Sequence, residues 1–363
     1  VTSTNTVPVV SALRQPRTIV QANGSVITGV KSWEIEETNF HDPSTFRVCF
    51  AIGALPTAND VDWWSTQDDL TIEIFQGEPS DPTDYSSSDL TSIFTGRVDQ
   101  LTPHWKAGEL DISGRDLSSL LADVKSAAKY VNMTASAVAT QLAGTAGLTP
   151  VVTSTSTKVG KYYQIDHVDL HDERTQWDVL TWLAREEQFV VYVKGKELHF
   201  EPAPSASQTP YLIQYTPGTD DGPAQGNFTD LSTTRELTLA KDIKVTVKSW
   251  NAKKKTGYSK SAGGGGSGAQ EYSYTIAGLD PDQAQARATQ ILAELSKHEM
   301  KLRFEGPADE TLAMTDVIQL SGTGTAFDQI YYPNTISRSF DAEEGFRWTV
   351  EAKNKSTTSE PAL

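Results

Sequence analysis

Phe346-Arg347-Trp348-Thr349-Val350-Glu351-Ala352 alternates apolar and polar residues without a break. A strand sends successive side chains to opposite faces. Phe346, Trp348, Val350 and Ala352 therefore share one face, and Arg347, Thr349 and Glu351 share the other. Such a strand is buried on one side only. Upstream the period changes. Ala284, Ala288, Ile291, Leu292 and Leu295 recur at helical spacing, behind Asp280 as a cap and Pro281 at the first helical position. The region from Leu279 to Asn354 thus reads as one helix packed on a half-buried antiparallel sheet, and no catalytic signature lies in it.

The same alternation recurs earlier. Trp33 and Ile35 alternate with Ser32, Glu34 and Glu36; Leu70, Ile72 and Ile74 with Thr71 and Glu73; Leu110 and Ile112 with Glu109, Asp111 and Ser113. Phe46 to Ile52 reads as a strand with Cys49 on the face opposite Phe46, Val48 and Phe50. Turn-rich stretches at Gly77–Asp84 and His104–Gly108 separate these runs, the pattern of a sandwich or barrel. From Arg115 helices enter. Asp116 is a candidate cap for a short helix through Leu117, Leu120, Leu121 and Val124. A second helix is expected over Ala135–Gly144. A third is capped by Asp172 or Thr175 and buries Trp177, Leu180, Leu183 and Ala184. A hairpin, 189–193 against 197–201, completes a small α+β unit, and 202–210 reads as its linker. From Tyr211 the chain is β-rich again, with Ile243, Val245 and Val247 alternating with lysines and threonine. Lys253–Gln270, polar and carrying Gly263 to Gly266, is expected as a mobile hairpin tip or surface loop. The division predicted is 1–115, 116–205 and 206–363, with the helix at 281–298 and the flexible loop at 253–270 in the last part. The fold class is α+β, mainly β. No close sequence repeat links the first and last parts.

The 363 residues carry a formal net charge of −16, with 37% hydrophobic and 21% charged residues. That balance fits a globular chain with ample core. It opposes general nucleic-acid binding, which draws its affinity from Lys and Arg. Cys49 is the single cysteine, so an intrachain disulfide and a cysteine metal cluster are both excluded. No apolar run approaches the roughly twenty residues of a membrane helix. Val1–Thr6 lacks a signal-peptide pattern, so secretion by a standard signal is not expected.

Reactive constellations are sparse. The glycine run is followed by Ser267-Gly268-Ala269 and a strand-like segment, rather than by the Lys-Ser/Thr and helix of a phosphate loop. His167, Asp169 and His171 would share a strand face and, with Asp172 and Glu173, offer metal-ligand types; helix capping and solvation explain them equally. The pairs Asp68-Asp69, Glu186-Glu187 and Glu343-Glu344 are sequence neighbours, not the two separated carboxyls of a glycosidase. No His-Glu-Xaa-Xaa-His occurs, and Ser267 lacks the strand-to-helix turn of a nucleophile elbow. Lys253-Lys254-Lys255, the one basic run, suits a solvated loop or an acidic partner. No cofactor is called for.

The order of four segments does point somewhere. Phe94-Thr95-Gly96-Arg97-Val98-Asp99, the run Leu110 to Leu117, and Leu320 to Asp328 with Tyr331-Tyr332 are followed or preceded at fixed intervals by the helix Gln283–His298. Together they resemble the baseplate hub proteins of contractile-tailed bacteriophages, the late control gene D family, and more distantly the hub part of type VI secretion spike proteins. The resemblance covers about Val26 to Asn354. It implies two tail-tube-like β-barrel modules flanking a small α+β domain, and a homotrimer whose six modules form a pseudo-sixfold ring. One face of the ring would meet the tail tube protein and the other the trimeric spike protein. Baseplate wedge proteins would contact the outside, with the tape measure protein as a further candidate partner. DNA would pass through the channel without specific binding. The location implied is the virion tail, assembled in the bacterial host cytoplasm, with no enzymatic role and no membrane. Interface candidates are Asp99, Arg115 and Asp116 at the exit of the first module, and Asp328 and Tyr331 in the matching final motif. The main rival is a carbohydrate-binding or adhesin-like module with exposed aromatic platforms. Trp33 and Trp348 fall on apolar faces and oppose it; Trp63-Trp64 is the pair expected to be exposed. A hydrolase with an unrecognised carboxylate pair is the second rival.

Overall fold

Alternate burial decides the architecture, because each strand has one apolar face that must find a partner. The computed structural model describes residues 15–354, other than 39, 41, 126–129, 131, 157–173, 221, 237–242, 252–255, 265–269, 277–278, 280 and 297–299. The first part holds β1 (Arg17–Ala22), β2 (Ser25–Ile27), β3 (Val30–Thr38), β4 (Thr45–Ala51), helix α1 (Val61–Ser65), β5 (Thr71–Gly77), β6 (Thr91–His104) and β7 (Glu109–Asp116). An α+β unit follows, with α2 (Ser119–Ala122), α3 (Ala135–Thr145), β8 (Thr149–Val152), α4 (Gln176–Glu187), β9 (Phe189–Lys194) and β10 (Glu197–Pro202). The last part holds β11 (Tyr211–Thr216), β12 (Gln225–Gly226), β13 (Asp230–Arg235), β14 (Ile243–Asn251), β15 (Thr256–Gly263), β16 (Gln270–Thr275), α5 (Pro281–Ser296), β17 (Met300–Pro307), β18 (Ile318–Ser321), β19 (Ile330–Asp341) and β20 (Gly345–Lys353). The fold is α+β and mainly β, as the alternation predicts.

A single 14-stranded sheet runs through both end parts. The first part is ordered β2-β1-β5-β6-β7-β4-β3. The last part is ordered β12-β11-β18-β19-β20-β17-β13. These are the same plan, and chain order agrees: β1 corresponds to β11, β3 to β13, β4 to β17, and β5, β6 and β7 to β18, β19 and β20. One irregularity recurs, although the slips in the β3–β4 ladder near Lys31 and in the β5–β6 ladder after Ile74 have no counterpart in the last part. The β6–β7 ladder slips at Asp99, between Val98 and Gln100, and the β19–β20 ladder slips at Asn334, between Pro333 and Thr335. One pairing differs, since β1–β5 is antiparallel and β11–β18 parallel. Among the described residues, no hydrogen-bonded pairing closes either set into a barrel. The two sets meet where β3 lies antiparallel to β19, from Thr38 opposite Thr335 to Ser32 opposite Asp341. One core cluster serves both, including Trp33, Ile35, Phe46, Phe50, Ile72 and Ile112 from the first part and Phe304, Leu320, Ile336, Trp348 and Val350 from the last.

The helix at 281–296 corrects an expectation. Among the described residues it packs on strands that precede it rather than on those that follow it. Ala284, Ala288 and Ile291 pack against Ile243, Val245 and Val247 of β14, in a separate three-stranded sheet ordered β15-β14-β16. This unit is inserted between β13 and β17. Periodicity shows that a helix has an apolar stripe but not which sheet receives it. The expected loop at 253–270 is corrected in the same place: 256–263 is strand β15, paired along its length with β14 from Asn251–Thr256 to Lys244–Gly263. Its polar residues sit on an outer strand, where ladder hydrogen bonds replace burial. Lys253–Lys255, Gly265–Gly268 and the cap Asp280 lie outside the described residues.

In the middle unit Thr175, not Asp172, caps α4. Its hydroxyl accepts from the Asp178 amide, and the Asp178 carboxylate accepts from the Thr175 amide, which is a capping box. Trp177, Leu180, Leu183 and Ala184 are buried as predicted. Gln188 ends the helix at φ +59. β9 and β10 turn at Gly195-Lys196, where the sequence suggests Lys194-Gly195. The cluster from His167 to Glu173 lies outside the described residues. Trp63-Trp64 is a further correction. Trp64 is 1% exposed and packs on Phe50, while Trp63 packs edge-on against Trp64. Asp60 caps α1 by accepting from the Trp63 amide, and Trp64 is the buried residue of this helix.

Candidate assembly surface

The apolar faces of the large sheet are spent on its core, and across the middle of the sheet the other face is polar, with half-buried Ile19, Phe75 and Leu212 towards its two ends. One cross-strand row runs Arg97, Arg115, Thr45, Glu36, Ser337, Thr349, Glu305 and Asp230, from β6 across the β3–β19 joint to β13. Opposite charges neutralise much of this face. Arg47 pairs with Asp111 and Lys31 with Glu109, while Arg303 reaches Glu305 at 2.6 Å. Such exposed pairs add little stability, roughly 0–1 kcal/mol each. They matter here as a surface without a net basic patch.

The five candidates separate into two groups. Arg115 and Asp99 are at the surface and bound together. The guanidinium grips both Asp99 oxygens at 2.7 and 3.0 Å and both Asp123 oxygens at 2.9 and 3.0 Å. These two carboxylates raise the Arg115 pKa, so it stays cationic. Because Asp99 is the bulge residue of β6, this clamp fixes where β6 leaves its pairing with β5. Asp328 organises its own loop, accepting from the Thr323 hydroxyl at 2.6 Å and the Gly324 amide at 2.9 Å. Against some burial, those donors hold its carboxyl below the usual range. Gly322, at φ +96, permits this turn, where a Cβ would meet the Tyr215 carbonyl at 1.8 Å.

Asp116 and Tyr331 are interior. Tyr331 is fully buried and donates its hydroxyl to the Phe327 carbonyl at 3.0 Å. Asp116 is 7% exposed and is not a helix cap; Ser118 stands at that position. Its carboxyl instead accepts from the Ser44 amide at 3.0 Å and the Ser118 amide at 2.9 Å, tying β7 to the β3–β4 connection. Burial pushes its pKa up to about 6, against the pull of those donors. It lines a cavity of about 120 Å³ between the sheet and the α+β unit, with Phe94, Trp177 and Tyr192.

Sequence reasoning missed the joint. Arg338 of β19 is 4% exposed, pairs with Glu37 of β3, donates to the Leu312 carbonyl and lies 6.0 Å from the Trp348 ring centre. The signal was present, since Arg338 interrupts the apolar series Ile336, Phe340. Free strand edges were not legible either. β6 pairs with β5 only as far as Arg97, apart from a Val98 amide bond to Leu70. Gln100 to His104 therefore have a ladder partner on the β7 side alone among the described residues. β13 likewise pairs only with β17. At the tip of the β6–β7 hairpin Trp105 is 72% exposed. Among the described residues, no group of three His, Cys, Asp or Glu side chains converges for a metal.

No family model matches the sequence, and no curated protein matches it. Solved structures do match. A tail protein from Neisseria meningitidis MC58 is similar over 93% of this chain and 96% of that one, with a TM-score of 0.69 at 13% identity. The 43 kDa tail protein of prophage MuSo2 from Shewanella oneidensis covers 93% and 96%, with a TM-score of 0.62 at 11% identity. The prophage tail protein gp18 from Listeria monocytogenes EGD-e covers 94% and 95%, with a TM-score of 0.56 at 13% identity. At these identities the likeness is one of fold: the chain has the fold of phage tail proteins, along nearly its whole length.

Proposed function

We propose that the chain is a baseplate hub protein of a contractile phage tail. In this reading three copies form a ring of six similar modules, joining the hexameric tail tube to the trimeric spike. The supporting observation is the repeated strand plan. A molecule with two modules of one topology, set edge to edge through β3 and β19, is one third of a six-module ring. The polar face of the sheet then borders the opening, and its paired charges let DNA pass without a basic track to hold it. Asp99, Arg115 and Asp328 remain interface candidates; Asp116 and Tyr331 act from inside, by holding the strands that carry them. The inserted unit stands outside the repeat and is suited to wedge components.

Sedimentation velocity of the purified protein, with negative-stain imaging, tests this. Trimers whose images show a ring with an opening wide enough for duplex DNA are expected. Monomers at every accessible concentration, alone and with spike protein, would remove the proposal.

A further inference from the structure

The joint inside one chain is a template for the joint between chains. In the repeat, β3 corresponds to β13 and β6 to β19. Within the chain β3 pairs with the half of β19 beyond its contact with β18. Among the described residues its counterpart β13 has an unpaired edge, and so does the counterpart half of β6, beyond β5. An intrachain contact has thus left both halves of an equivalent contact open, on surfaces that one molecule cannot bring together.

We infer that β13 of one copy adds as an antiparallel strand to the free edge of β6 of a neighbouring copy, with Thr234 opposite Thr102. The inference rests on the hub reading above and names the surfaces that close the ring. The bulges fix the register. Aligning Asp99 with Asn334 makes Gln100, Thr102 and His104 the counterparts of Thr335, Ser337 and Ser339. The ladders with β4 and β17 make Trp33 the counterpart of Leu231, and Glu36 that of Thr234. Ser337 faces Glu36 within the chain, so Thr102 faces Thr234 across the joint.

Side-chain chemistry agrees with this register. Phe340 stacks on Trp33 in the intrachain joint, with ring centres 6.2 Å apart. Trp105 holds the position of Phe340, and the new joint brings it to the half-buried Leu231, which accounts for an indole left 72% exposed. Lys106, next along, meets Asp230. The outward row is polar on both strands, from Gln100, Thr102 and His104 to Ser232 and Thr234. Pro103 offers no amide, which removes at most one rung and keeps the edge from pairing indiscriminately before assembly.

The test is a cross-link. Directly opposed residues on antiparallel strands have Cβ atoms about 4.5–5.5 Å apart, within reach of a disulfide after a small adjustment. Thr102→Cys and Thr234→Cys are combined in the full chain with Cys49→Ser, and mild oxidation is followed by a non-reducing gel. Linked species that stop at the trimer are expected, with no higher products from either single cysteine. A control pairing Thr102→Cys with Ser259→Cys on β15 gives none. Trp105→Ala should raise the concentration for half-assembly at least about tenfold without altering far-ultraviolet circular dichroism. Trimers by sedimentation with no cross-link would overturn the joint and leave the hub reading standing. Cross-linked chains that grow past three would support the joint and overturn the closed ring. Monomers with no cross-link would overturn both.

Discussion

Asp116 shows how far a single residue can be read. Its side chain reads from the sequence as a helix cap and not as a buried acid, because nothing local announces that Ser44, far away in sequence, would donate to it. Burial raises its pKa from 3.8 to about 6. Between those values the folded state holds a proton that the unfolded state has released, so stability falls as pH rises. The contribution is complete below about pH 4, is lost on the way to pH 6, and is level above. Asp116→Asn removes this titration. The stability of wild type minus variant, from urea unfolding at each pH, is expected to drop by about 3 kcal/mol from pH 4 to pH 7. A constant difference would show that the carboxyl titrates as an exposed one. Tyr331 makes the same point in reverse. An aromatic in a strand run reads as core, and it is core, whatever the motif around it implied.

At the scale of elements, alternation was a dependable guide. Trp33, Ile35, Ile72, Leu110, Ile112, Trp348 and Val350 are all buried on the faces it assigns. What alternation omits is partner choice. It could not say that β3 would meet β19, nor that α5 would pack on β14 rather than on β17, since an apolar face is satisfied by any surface of matching shape. The β3–β19 seam depends on a charged pair placed where an apolar residue was expected. The Arg338 side chain is 5% exposed and that of Glu37 25%. Removing one partner strands the other charge in a poorly solvated site. Arg338→Met is therefore expected to cost about 3–5 kcal/mol in chemical denaturation. Adding Glu37→Gln should return part of that loss. A loss below about 1 kcal/mol would mean that water reaches the pair and the seam is held by its ladder and core alone.

The whole molecule is two copies of one strand plan, and this was illegible for a physical reason. Equivalent positions carry different residues: Trp33 against Leu231, Ile35 against Thr233, Gly96 against Tyr331. A strand plan is kept by which faces are apolar and where ladders slip, and many residue sets meet those terms. The largest departure from the repeat is the unit of β14, β15, β16 and α5, placed where the first part has only the short link from β3 to β4. Its core of Ile243, Val245, Val247, Ala284, Ala288 and Ile291 is a cluster of its own. β13 and β17 remain neighbours across the insertion, with Arg235 opposite Met300. The ends to be joined are thus already a strand-pair apart, about 5 Å. Replacing residues 237–298 by a Gly/Ser-containing link of about six residues should therefore leave the large sheet intact, because loop closure at that length costs little. The shortened chain is expected to unfold cooperatively, with a thermal midpoint within about 5 °C of the parent, and to sediment as the same oligomer at reduced mass. Insolubility, or loss of the thermal transition, would show that the unit is part of the core rather than an appendage on it. A folded chain that no longer assembles would move the contact between copies from the β6 and β13 edges to the inserted unit.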